Sequence, residues 1–444
     1  MAVMQDRIAN DLTQDYLADA NEALSFNLVR TPQDMEDGEF FSPEMTHQVY
    51  GDGEQIFGYK DLEVRLYITA GRLNMYCDVE YSSIVKKSKS VALEPDDIVG
   101  PLTKLVPTNC ILDNQDTFLA LLKKESTFKP YGELISVITP HNNDANQRFE
   151  VYSCNADTPG FLEYFERLQM FTMFYVDAAS YIDTSDHKWN YFIAQYYPIR
   201  AAISYEQYQS SDGNPMYAFV GFTTVYEFYG YPEHVRPRIS QMLVLPPFQK
   251  KGIASGMLQA IYNKYIDDPK VLTVSGAVSS LRGFNVSVED PSAIFGSMRL
   301  RVDCLNALTR LKVFSVEKLK KGITKEHYDE AKTKLKLNRD NTLRVFNVLL
   351  FRATDRNNKE DYKNFRLFIK NQLYAPFRRQ DRELAKLEKY NLSKEEISET
   401  LAFVPKDKRP DIIHQEYLDL ESKLSMIVEK LPPLSDEERK LLGR

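Results

Sequence analysis

The densest chemical pattern in the chain runs from Ser240 to Ala254. It reads Ser240-Gln241-Met242-Leu243-Val244-Leu245, then Pro246-Pro247-Phe248, then Gln249-Lys250-Lys251-Gly252-Ile253-Ala254. An apolar, β-branched strand that ends in a tight turn and opens into a helix presents consecutive backbone N–H groups to an anion. Gly252 allows a φ that side chains resist, and the small Ala254 lets a phosphate come close. The helix start adds roughly half a unit of positive charge, and Lys250 and Lys251 strengthen the field. The chemistry is that of a phosphate or diphosphate cradle.

Other candidate motifs do not hold. Gly53-Glu54-Gln55-Ile56-Phe57-Gly58-Tyr59-Lys60 imitates a phosphate-binding loop, but its lysine comes one place late and no Ser or Thr follows. It reads as a surface turn. No GxGxxG or GxSxG run occurs. The six histidines (His47, His141, His187, His234, His327 and His414) lack metal-ligand spacing, so no metal is expected. Cys77, Cys110, Cys154 and Cys304 form no CxxC pair and read as buried thiols.

The cradle must be positioned by the elements around it. Helical spacing of Met257, Leu258, Ile261, Tyr262 and Tyr265 predicts a helix from about Ala254 to Ile266. Arg238–Leu245 precedes it as a strand, and a further short strand is expected to end at Glu289. Runs rich in aromatic and β-branched residues at 147–153 and 190–229 read as strands of one antiparallel sheet. Upstream, Glu63–Thr69 and Leu73–Val79 are strand-like among turn clusters. Beyond about 316 the composition shifts to charged helix formers. There Ile413, Tyr417, Leu420, Leu424, Ile427 and Leu431 form a seam of under three heptads, which favours packing within its own domain over a partner interface.

With 444 residues, 43% hydrophobic and 53 of them aromatic, the chain can bury a large core in two or three domains. Disordered, collagen-like and low-complexity classes are excluded. No apolar run approaches a membrane span and no signal region opens the chain, so a soluble, intracellular protein is expected. The net charge of −7 hides an asymmetry. Residues 1–300 hold 24 basic and 39 acidic side chains, whereas residues 301–444 hold 32 and 24. An acidic body is a poor surface for nucleic acid and a good one for a cationic partner. Neither direct nucleic-acid binding nor membrane binding is expected.

At Gln249–Ala254 the sequence resembles the acyl-CoA loop of the GNAT acetyltransferase superfamily. Further runs narrow the resemblance: Phe40-Phe41 through Gln48, Gly58-Tyr59-Lys60, Phe128–Gly132, Arg167-Leu168-Gln169, and Ile182-Asp183 ahead of Trp189. Thr224–Pro232 and Arg236–Met242 complete it. Over nearly its whole length the chain resembles the type B histone acetyltransferase catalytic subunits.

That resemblance implies an α+β, mixed α/β architecture with a GNAT acyl-CoA-binding core and a mixed twisted sheet. It implies an N-terminal α+β domain over 1–136, the core over 137–315, and a helical, basic C-terminal region over 316–444. Acetyl-CoA would be the acyl donor and lysines in the histone-four tail the acceptors, by direct attack in a ternary complex. The turn Gln249, Lys250, Lys251, Gly252, Ile253 and Ala254 would bind the diphosphate. Met242, Leu243 and Val244 would line the pantetheine arm, with the Val244 N–H facing the oxyanion. The general base would be Glu289, in the run Glu289-Asp290-Pro291-Ser292, because a lysine ammonium with pKa about 10.4 must lose a proton before it attacks. Asp52, Gly53, Glu54, Trp189, Tyr226, Glu227 and Phe228 would contact the tail. A WD-repeat histone-binding chaperone subunit and residence in nucleus and cytoplasm are implied as well.

The sequence departs from the family between Pro269–Leu272 and Asn285–Glu289, where about a dozen extra residues stand at Thr273–Phe284. They bulge beside an intact strand, replace part of it, or reflect a splice or gene-model boundary; the first is favoured. Two rivals follow, a GNAT enzyme acting on a small amine and a histone-binding protein whose catalysis the extra residues disable.

Overall fold

The computed structural model describes residues 14–85, 94–140, 147–198, 216–272, 275–276, 292–388 and 404–442. They fall into two compact units. The first comprises the described residues up to Tyr229 together with Pro237–Asn263; the second comprises Gly230–Arg236 and those from Lys264 onward.

The first unit begins with nine short strands: β1 (Leu17–Asp19), β2 (Leu24–Val29), β3 (Phe40–Phe41), β4 (Gln55–Phe57), β5 (Tyr59–Lys60), β6 (Glu63–Thr69), β7 (Met75–Glu80), β8 (Ser83–Ile84) and β9 (Ile111–Leu112). Five of them make a mixed sheet in the order β3-β2-β6-β7-β9, with β2 and β6 parallel and β6 and β7 antiparallel. The central pair is buried along almost its whole length, as strands covered on both faces must be. Helix α1 (Gln115–Leu122) starts where the Asn114 side chain accepts from the Thr117 N–H, and it lays Phe118 and Leu122 on Val29 and Tyr67.

A second sheet holds β10 (Glu133–Ile138), β11 (Gln147–Asn155), β12 (Trp189–Pro198), β13 (Ala218–Gly230), β14 (His234–Val244) and β15 (Ser275–Gly276), in that order. The β10–β13 ladder is antiparallel, as the aromatic runs predict. Helix α2 (Phe161–Leu168) covers it. Phe161, Tyr164, Phe165 and Leu168 recur at helical spacing and are all buried, and Tyr191 of β12 packs between Phe161 and Phe165.

Register shifts once between β12 and β13, from Ala194 opposite Gly221 to Gln195 opposite Phe219. The odd residue, Val220, turns its carbonyl to the Leu245 N–H at 2.9 Å, while the Phe219 N–H donates to Ala70 O at 2.7 Å. That second bond ties the end of β6 to the second sheet. The two sheets are clasped again where Glu44 and Met45 donate to Phe174 O and Gln48 Nε2 donates to Met173 O and Val176 O. Gly221 is required beside β14, because a Cβ there would lie 2.3 Å from Leu243 O.

Helix α3 (Ile253–Ile266) leads from the first unit into the second. The second unit is helical: α4 (Ala293–Arg310), α5 (Val316–Lys320), α6 (Lys325–Leu335), α7 (Arg339–Ala353), α8 (Lys359–Leu373), α9 (Ala375–Glu388), α10 (Arg409–Val428) and α11 (Asp436–Leu441). Helix α7 is its core, with Val345, Phe346, Val348, Leu349 and Phe351 buried, and α4, α5, α6 and α10 pack on it. The predicted seam lies on α10. Ile413, Tyr417, Leu424, Ile427 and Leu431 are buried and Leu420 is half-buried, the helix packing on α7 and α8 within its own unit. Buried arginines hold the ends. Arg409 makes two 3.0 Å bonds to the Asp381 carboxylate, and Arg352 bonds the Glu438 carboxylate and Pro432 O. No helix among the described residues is long and apolar enough to cross a membrane.

The predicted helix at 254–266 begins one residue earlier, at Ile253, and the strand predicted from Arg238 begins at His234. Leu73 belongs to a turn rather than to a strand: its φ is +59°, and β7 starts only at Met75. Cys110, Cys154 and Cys304 are buried and Cys77 is half-buried, and burial pushes the Cys77 and Cys110 thiols up to about 12 and about 11. The strand expected before Glu289, Glu289 and Asp290 themselves, and Thr273–Phe284 apart from β15 lie outside the described residues.

Candidate active site

Around 249–254 the chain runs as strand, 3-10 turn and helix, the order of elements expected there. β14 ends at Val244, Pro246–Phe248 form a single 3-10 turn, and α3 starts at Ile253. Lys250 has φ +62° and Gly252 φ +86°, so two left-handed residues flank Lys251. Gly252 was expected there; Lys250 was not, since a side chain in that region costs about 1 kcal/mol. The pair stands where the chain enters the first turn of α3, in which the Gly256 N–H donates to Gly252 O at 3.0 Å. The first N–H groups of a helix point out of its N-terminal end, an arrangement that fits a diphosphate bound through backbone N–H groups.

Side chains lock this turn in place. Phe248 is buried against Phe149 and Tyr196, with ring centroids 6.2 and 6.4 Å away, and the Lys251 ammonium lies 5.7 Å over its ring. Gln249 Nε2 donates to Val244 O at 3.0 Å. Ile253 is 2% exposed, so it offers a ligand only its backbone. Gly256 lets α3 sit close to β10, since a Cβ there would lie 2.4 Å from the Ile138 side chain. Leu243 and Val244 are buried and Met242 is half-buried, which leaves the strand backbone as the surface offered at this end.

The expected substrate residues form two groups. Trp189 pairs directly with Tyr226 across β12 and β13, their rings 4.9 Å apart, and Phe228 continues the row 4.6 Å beyond Tyr226. Glu227 accepts from Asn190 Nδ2 at 3.0 Å. Asp52 and Gly53 are exposed in the turn before β4. Glu54 is turned inward from the same turn, with φ +50°. Its carboxylate accepts from the Thr46 N–H at 2.7 Å, the His47 N–H at 3.0 Å and Asn21 Nδ2 at 2.9 Å, and these bonds lower its pKa.

One segment, residues 177–188, touches His47, β14 and the aromatic row. His47, 3.5 Å from Glu54, reaches Asp177 at 3.2 Å. Ser180 O accepts from Gln241 Nε2 at 3.0 Å, so the segment meets β14 one residue before Met242. Asp186 accepts from the Tyr226 hydroxyl at 2.9 Å and from the Lys188 N–H at 3.0 Å, and the Lys188 ammonium stands 6.0 Å over the Tyr226 ring. The Lys188 N–H and the Tyr226 hydroxyl hold the Asp186 carboxyl below its ordinary pKa, and bonds from Ser185 do the same for Asp183. Both are therefore anionic at neutral pH, on an exposed stretch beside an aromatic row. Such a surface suits a lysine-bearing peptide, whose aliphatic stem packs on rings while its charge faces carboxylates.

Sequence reasoning missed His47, Asp177, Ser180, Asp186, Lys188 and Gln241 as parts of this arrangement. Their partners lie up to 130 residues away, and no local spacing marks them. The one available signal was Ile182-Asp183 ahead of Trp189.

The profile described as Histone acetyl transferase HAT1 N-terminus matches residues 16–177, and Histone acetyltransferase type B catalytic subunit, C-terminal, matches residues 299–351. A histone acetyltransferase type B catalytic subunit from Homo sapiens is 35% identical over 422 residues, covering 94% of each chain. Its counterpart from Cryptococcus neoformans is 29% identical over 81% of this chain and 89% of its own. Among solved structures, an aminoglycoside acetyltransferase from an uncultured soil metagenomic sample is 13% identical and aligns over 32% of this chain and 97% of its own, with a TM-score of 0.21. On the full-length relatives and the profiles at both ends, this chain belongs to the family of type B histone acetyltransferase catalytic subunits.

Proposed function

We propose that this protein transfers acetyl from acetyl-CoA to lysines in the N-terminal tail of histone four, by direct attack within a ternary complex. The observation that carries the reading is the left-handed pair Lys250 and Gly252 at the mouth of a 14-residue helix, reached directly from β14. A diphosphate held there would extend its acyl arm along Met242–Val244, and the acetyl thioester would supply the electrophile. The Val244 N–H would stabilise negative charge on the thioester oxygen. Glu289 would remove a proton from the lysine ammonium. Asp186 and the Trp189–Tyr226–Phe228 row would receive the tail, with Asp52, Gly53, Glu54 and Glu227 at its rim. A WD-repeat histone-binding chaperone would serve as partner subunit, and the protein would work in nucleus and cytoplasm, with domains over 1–136, 137–315 and 316–444.

The test is acetyl transfer from acetyl-CoA to a histone-four tail peptide and to spermidine. The reading expects turnover on the peptide well above that on spermidine, and a loss of about 10²–10⁴-fold in Glu289→Gln with acetyl-CoA binding retained. Preference for spermidine would make the protein a small-amine acetyltransferase. Peptide binding without transfer, restored by deleting Thr273–Phe284, would make it a histone-binding protein disabled by those residues.

A further inference from the structure

We infer that Gln249 is a positioning residue whose carboxamide sets the distance between the diphosphate turn and the thioester strand. This rests on the acyl-CoA reading of the turn and assigns the side chain a role apart from ligand contact. Val244 is the last residue of β14, and after it the Leu245 N–H makes its final bond to β13, at Val220 O. From there to the start of α3 the chain leaves the sheet. Within that excursion two short-range backbone bonds form, from the Phe248 N–H to Leu245 O and from the Gln249 N–H to Pro246 O. Neither reaches back to the strand.

Gln249 Nε2 does reach back. It donates to Val244 O at 3.0 Å and closes a loop over the four residues that separate the strand end from Gln249, which stands just before left-handed Lys250. Gln249 is itself extended, at φ −67° and ψ 164°, so its side chain spans the gap while its backbone feeds the reversal. Asparagine would fall one methylene short, and glutamate at neutral pH has no proton to donate. A ligand that spans both halves of the site depends on their separation; a ligand that fills one half does not. Gln249 therefore acts on the coupling of two half-sites rather than on either alone.

The experiment uses the full chain and three probes: acetyl-CoA, pantetheine and 3′-phospho-ADP, with affinities read by calorimetry or as inhibition constants. In Gln249→Met the expected result is a loss of about fivefold to tenfold for acetyl-CoA, with each half-ligand within about twofold of wild type and an unchanged Tm. Gln249→Asn should follow Gln249→Met. Equal losses for 3′-phospho-ADP and acetyl-CoA would overturn the proposal, because the side chain would then touch the phosphates. Parallel losses for all probes with a lowered Tm would overturn it in favour of a merely structural role, and so would wild-type behaviour. If wild type binds no acetyl-CoA, the acyl-CoA reading itself fails, and that outcome is visible before any variant is made.

Discussion

The turn proposed to hold the diphosphate and the acidic, aromatic rim proposed to receive the tail are built on opposite principles. The turn at Gln249–Ala254 would work through backbone N–H groups, and side chains in and beside it anchor it: Phe248 in a ring cluster, Gln249 bonded to Val244 O, Ile253 in the core. The rim works through side chains held by bonds between distant segments, with His47, Asp177, Gln241, Asp186 and Tyr226 brought together along residues 177–188. A backbone site is fixed by φ, ψ and helix start, so it tolerates changed side chains other than those, such as Gln249, that tie the turn to the strand, and it fails when a glycine is changed. A side-chain site tolerates no loss of its partners but degrades in small steps. The two should therefore separate cleanly under mutation.

Gly252→Val is the sharpest way to break the comparison. At φ +86° a β-branched residue is strained by at least 1–2 kcal/mol, so acetyl-CoA affinity should fall about 10-fold or more while histone-tail peptide affinity stays within twofold. Equal losses in both would show that the turn and the rim are one cooperative site. Trp189→Ala should do the reverse, raising the peptide KM about fivefold to tenfold through loss of its ring contact with Tyr226, with acetyl-CoA affinity unchanged.

The difference also explains what could be read from the sequence. The turn was legible because strand, glycine and amphipathic helix are contiguous, and Met257, Leu258 and Ile261 announce the helix by spacing alone. The aromatic strands were legible for the same reason. Left-handed Lys250 was not, because nothing local demands a positive φ at a lysine; it follows directly on Gln249, whose side chain bonds back to Val244 O. Leu73 misled for a related reason, an apolar residue placed in a turn that buried Glu125 stabilises by accepting from the Gly71 and Arg72 N–H groups. Glu54 was identified as a substrate contact from its place in a family motif, and only the fold shows its carboxylate bound to Thr46, His47 and Asn21. Asp186 became visible only when β12 and β13 paired.

Two smaller effects sharpen the picture further. Glu54 has a folded-state pKa below its ordinary 4.5, so the ionised carboxylate stabilises the fold fully above that value and loses this contribution as pH falls through the lower, folded-state pKa. Thermal melts of wild type and Glu54→Gln should thus differ at pH 7, with wild type the more stable, and the gap should narrow as the pH falls below 4.5. A gap that persists unchanged at pH 3 would mean that Glu54 acts by shape alone. Lys250→Gly should be the mildest change, relieving about 1 kcal/mol of left-handed strain while removing one cation near the phosphates, for a net change in acetyl-CoA affinity within about threefold.

The central claim is that the bend between β14 and α3 holds a coenzyme diphosphate. Calorimetric titration of the purified full chain with acetyl-CoA tests it most directly. The expected result is saturable one-to-one binding that 3′-phospho-ADP displaces and that Gly252→Val weakens. No saturable binding by the wild-type chain, or binding that 3′-phospho-ADP leaves untouched, would contradict it.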